Sequence, residues 1–135
     1  MIKDMLWVAL GGMAGSVSRY LIQCAMQMWL ASHSLLRGRV SIPWGTLVVN
    51  VLGCFLIGAI VTLIARHTTD NSPHWALLLL STGFCGGFTT FSSFALEGIQ
   101  LIRQGDLLEA TLYLGGSLVL GFLALFVALI LFGKV

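Results

Sequence analysis

Charge is scarce in this sequence: seven Lys and Arg and five Asp and Glu stand among 135 residues, or 9%. A soluble domain carries about 25%. A water-facing globular surface is therefore excluded, and a mean hydropathy of +0.98 marks an integral membrane protein. No basic run exists and the net charge is only +2, so nothing here would hold a nucleic acid. The chain lacks a glycine-rich nucleotide-binding loop, which argues against an ATP-driven pump. Cysteine is limited to Cys24, Cys54 and Cys85, an odd number, all inside apolar segments. They read as buried thiols and suggest neither a disulfide framework nor a metal site. No small-x-small cleavage site precedes a soluble domain, and the first apolar stretch is too long for the core of a signal peptide. It is expected to stay as a span.

Apolar length is what the sequence has in abundance. Four segments can each cross a bilayer, at about 5–30, 44–65, 75–102 and 107–132. The connectors are too short to hold a soluble domain, so the expectation is one all-α membrane domain over 1–135. Trp7, Trp29, Trp44 and Trp75 fall near segment ends, as an interfacial aromatic belt requires.

The third segment is the unusual one. Its centre, Thr82 to Phe94, carries three glycines, three threonines and two serines. Inside hydrocarbon a helix break is tolerated only where protein or water satisfies the freed backbone. Carbonyls at such a break can coordinate a cation, and N–H groups can face an anion. We expect the third helix to be broken near 83–90. Gly83 and Gly87 also form a GxxxG pair suited to close helix packing. Packing accounts for the glycines but not for Thr89-Thr90 followed by Phe91 and Phe94.

The other spans add polar residues at helical spacing. In segment one, Gly11, Gly12 and Gly15 make a small-residue face, followed by Arg19 past the midpoint. A charge there costs about 2.5–3.5 kcal/mol on insertion scales, so Arg19 should face a cavity or partner. It could raise anion concentration in a vestibule, or bind carbonyls at a helix end. In segment two, Thr46, Asn50, Gly53 and Ile57 share one face, and the Asn50 amide needs partners when buried. Interhelical hydrogen bonding would serve as well as an ion. In segment four, Tyr113, Ser117 and Gly121 form a second stripe. Glu97 and Glu109 lie near segment ends and read as reaching water.

Across the membrane, Lys3, Arg66 and Lys134 oppose Arg37, Arg39 and Arg103. Three against three gives no orientation preference. Two copies could then insert oppositely and form an antiparallel, dual-topology homodimer.

Taken together, Gly83 to Gly87 and Thr89 to Phe94 closely resemble the third-segment signature of the CrcB/Fluc fluoride channels. Gly11-Gly12, Gly15, Arg19-Tyr20 and Gly45 to Asn50 resemble that family's first and second motifs, and the similarity covers essentially the whole chain. The resemblance implies a multi-pass protein of the cell inner membrane, a dual-topology homodimer exporting fluoride passively through two pores. It implies a structural Na+ between subunits, held by the backbone carbonyls of Gly86 and Thr89. No carboxylate in the motif would recruit a divalent ion instead. It implies that Phe91 and Phe94 line the pores, with Asn50, Tyr113, Thr46 and Ser117 along the path. The family often has a serine where this chain has Gly121. No enzymatic activity is expected.

A rival reading is a small proton-coupled multidrug transporter, which needs a membrane-embedded carboxylate. Segment one offers Arg19 and no acid. A structural subunit of a larger complex would explain the glycines but not Asn50, the Phe pair and the hydroxyl stripes.

Overall fold

The computed structural model describes residues 1–32, 42–66 and 74–133. The expectations placed on Arg37, Arg39 and Lys134 lie outside the described residues. The elements in order are α1 (Ile2–Ser32), α2 (Trp44–Arg66), a turn α3 (His74–Ala76), a π-helix (Leu77–Cys85), a turn α4 (Gly86–Phe88), α5 (Phe91–Gln104) and α6 (Leu107–Phe132). Among the described residues there is no strand. Four helical stretches among the described residues are long and apolar enough to cross a membrane: Ile2–Ser32, Trp44–Arg66, His74–Gln104 and Leu107–Phe132.

Close backbone contact joins α1 to the first half of the third span. A side chain on Gly11 would strike the Leu79 carbonyl, and one on Gly15 the Phe84 carbonyl. On the facing strip, a Cβ on Gly87 would lie 2.5 Å from the Gly12 carbonyl. Without a hydrophobic drive between helices in lipid, such small-residue approach is what lets dispersion hold them. Gly83 and Gly87 therefore serve packing. Gly86 does not: a Cβ there would meet nothing within 4 Å. The α1 face ends in Ser16, whose hydroxyl donates to the Gly87 carbonyl at 3.4 Å.

The third span departs from the expected break in two ways. Its first half winds as a π-helix over Leu77–Cys85, a widening that the sequence did not signal. Non-helical backbone is confined to Thr89 (φ −79, ψ 158) and Thr90 (φ −148, ψ 115), not spread over 83–90. The correction has a local cause. Gly86–Phe88 still close helical turns, and Thr90 caps the next helix, its side chain accepting from the Ser93 N–H at 3.2 Å. Threonine favours this position because its oxygen satisfies an orphan N–H of the first turn.

The second half returns against α6 through a tight reversal. Gly105 takes φ 86, a left-handed value that favours glycine, and its N–H reaches the Ile102 carbonyl at 3.1 Å. This turn clamps Leu101 against Ala110 and Tyr113, the small apolar core at this end of the molecule.

Candidate functional site

A cavity of about 660 Å³ opens where α2, the broken span and α6 meet. Asn50, Gly86, Thr89, Phe91, Phe94 and Ser117 all line it, so six residues picked out in the sequence share one space. Thr46 and Tyr113 are not in its wall. They are buried one helical turn further along α2 and α6. Arg19 is outside the wall too, and its Nε is buried without a hydrogen-bond partner among the described residues.

Asn50 is the hinge of the arrangement. Its Nδ2 donates to the Thr90 carbonyl at 3.2 Å, while its Oδ1 accepts the Thr90 N–H at 2.9 Å. The amide thus replaces helix hydrogen bonds that the break removes. Interhelical bonding, one of the two roles open to it, is present. An amide nitrogen has two hydrogens, so one N–H donor remains beyond the bond to Thr90. Room for the break comes from Gly53, where a side chain would strike the Thr89 methyl.

The same bonds release two carbonyls. In a continuous helix Gly86 would accept the Thr90 N–H, and Thr89 the Ser93 N–H. Here the Thr90 N–H goes to Asn50 and the Ser93 N–H to the Thr90 hydroxyl. Both carbonyls therefore lack that partner, and both residues border the cavity. Neutral oxygens of this kind suit a monovalent cation. Among the described residues no group of three His, Cys, Asp or Glu could hold a metal instead.

The rings of Phe91 and Phe94 lie 5.9 Å apart at 44°, and Phe94 tilts against Tyr113 at 5.4 Å. Phe91 is 79% exposed on the open side of the cavity. Ser117 is 8% exposed, and its hydroxyl has no hydrogen-bond partner among the described residues. A buried hydroxyl left unpaired costs free energy, which makes it a candidate ligand donor. At the far end, Gly121 faces Cys54: a Cβ there would lie 3.2 Å from Sγ.

Glu97 corrects the sequence reading. It does not simply reach water. It is half-buried, with Thr46 Oγ1 donating to Oε1 at 2.9 Å and Tyr113 Oη donating to Oε2 at 2.7 Å. The carboxylate ties α2 and α6 to α5 beside the cavity. Its spacing from Phe94, i and i+3, carried the signal, because that interval puts both on one helix face. Glu109 does not simply reach water either: its Oε2 is buried without a hydrogen-bond partner among the described residues.

A family model described as "CrcB-like protein, Camphor Resistance (CrcB)" matches residues 6–129. The chain is 47% identical over 125 residues to the fluoride-specific ion channel FluC of Chlorobium chlorochromatii (strain CaD3), covering 93% of this chain and 88% of that protein. It is 46% identical over 126 residues to a protein of the same name from Prosthecochloris aestuarii (strain DSM 271 / SK 413), covering 93% and 90%. With the like-named protein of Acidobacterium capsulatum the identity is 39% over 130 residues, 96% of each.

Proposed function

Because the chain belongs to the CrcB-like family, we propose that it is a fluoride channel that exports the ion passively and so lowers fluoride inside the cell. The observation that carries this reading is the 39–47% identity, over nearly the whole chain, to proteins named fluoride-specific ion channels. It is a multi-pass membrane protein of four spans, and the inner membrane is the location we assign. It is no enzyme. A proton-coupled multidrug transporter finds no support in the relatives named above, and of the two acids such a transporter could use, Glu97 and Glu109, the first is held by Thr46 and Tyr113.

Fluoride is small and strongly hydrated, so a path must replace its water with donors. The spare N–H of Asn50 and the unpaired Ser117 hydroxyl offer this at the cavity. The edges of Phe91 and Phe94 carry partial positive charge and keep the passage apolar and narrow. Thr46 and Tyr113 continue the donors toward the Glu97 end. Arg19, one turn before Gln23 on α1, would raise the local anion concentration there.

The carbonyls of Gly86 and Thr89 fit a structural Na+, and these residues would hold it. The ion would supply a fixed positive charge near the path. Two carbonyls from one chain leave such a site incomplete, which supports a homodimer with an antiparallel copy over the open side of the cavity. The test is fluoride efflux from liposomes containing only the purified protein. Rapid efflux with chloride retained is expected. Liposomes that hold fluoride as tightly as protein-free ones would overturn the reading.

A further inference from the structure

We propose that Gln23 is a positioning residue for permeation, acting through the Thr46 hydroxyl; the proposal rests on the reading of Thr46 as part of the path. Gln23 is half-buried on α1, and its Nε2 donates to Thr46 Oγ1 at 3.3 Å. Thr46, 2% exposed, in turn donates to Glu97. One chain of hydrogen bonds therefore runs from α1 through α2 to α5, and Tyr113 closes it from α6.

A threonine hydroxyl has a single proton and rotates to suit its neighbours. On a helix its usual alternative is the carbonyl four residues back. Gln23 decides between these states. By donating to the oxygen it fills a lone pair and leaves the proton to point at Glu97, on the side of the path. The donated bond also polarises the hydroxyl and strengthens it as a donor. The Glu97 carboxyl oxygens already accept from the Thr46 and Tyr113 hydroxyls, so a passing anion must take over the same two donors. Their orientation before it arrives sets how readily that exchange occurs. Gly45 makes the reach possible, because a Cβ there would press on Gln23 Cγ at 3.2 Å.

Two variants and one spectroscopic signature test this. Gln23→Met keeps the bulk against Gly45 and removes the donor. Gln23→Glu keeps the shape and, when ionised, draws the Thr46 proton away from Glu97. Fluoride efflux from proteoliposomes is expected to fall about three- to tenfold in Gln23→Met, the scale set by one hydrogen bond, and further in Gln23→Glu. The infrared carboxylate stretch of Glu97, identified by its loss in Glu97→Gln, should shift in Gln23→Met. Lower efflux with an unmoved carboxylate band would reduce Gln23 to packing and overturn the proposal, as would native efflux in both variants. Thr46→Val separates the two levels. If it is impaired while both Gln23 variants conduct normally, only the Gln23 role fails. If Thr46→Val itself conducts normally, the place of Thr46 in the path fails and the role of Gln23 with it.

Discussion

Asn50 grips the peptide of Thr90 from both sides, donating to its carbonyl at 3.2 Å and accepting its N–H at 2.9 Å. The residue that holds the break open thus also lines the cavity and keeps one amide N–H beyond its bond to Thr90. Asn50→Ala should reduce fluoride efflux at least tenfold, roughly the effect of one lost donor together with two buried groups left unpaired. The Thr90 amide should exchange its hydrogen faster in the same variant. Dimeric protein with native efflux would remove Asn50 from the path.

Phe91 and Phe94 are joined ring to ring at 5.9 Å beside this amide. Replacing either with Ile keeps an apolar side chain and deletes the ring edge. Loss of efflux is expected with helical circular dichroism unchanged. Normal conduction in both variants would leave the rings as packing alone.

The glycines should separate into two kinds. Gly15→Ala drives a methyl into the Phe84 carbonyl and should lower the unfolding midpoint or prevent assembly. Gly86→Ala has open space and should fold with native stability in the detergent-solubilised single chain. Thermal melting of the two variants checks this. Equal destabilisation would contradict the packing described for α1.

Na+ removal tests the released carbonyls of Gly86 and Thr89. Proteoliposomes dialysed on both sides into N-methylglucamine should lose fluoride efflux or contain dissociated dimer, because a Na+ held by carbonyls of two copies would link ion binding to assembly. Readdition of Na+ equally to both sides, with no gradient, should restore it. Full activity with no residual ion in the protein would return Gly86 to a plain backbone position.

Much of the site was legible because helical spacing alone aligns side chains on a face. Thr46 and Asn50 on α2, and Tyr113 and Ser117 on α6, needed only the 3.6-residue period. Phe91 and Phe94 needed the same period counted from the break. The position of the break was less legible. Glycine suggests freedom, yet Gly83 and Gly87 stay helical since their use is close approach to α1. The two residues that leave the helix are Thr89 and Thr90, whose side chains bond the Cys85 carbonyl and the Ser93 N–H. Glu97 was misread because nearness to a segment end says nothing about which neighbours surround a side chain.

The sequence by itself determined four apolar spans, their approximate ends and the polar stripes along them, because length, hydropathy and periodicity are local properties of the chain. Only the tertiary structure decided where each donor's hydrogen goes. That Asn50 takes the Thr90 peptide, that Gln23 reaches Thr46, and that Glu97 receives two hydroxyls depend on contacts between residues 16 to 51 positions apart. Such pairings follow from how helices cross, which no single helix can express; the crossing of α1 with the first half of the third span rests on glycines whose backbones meet.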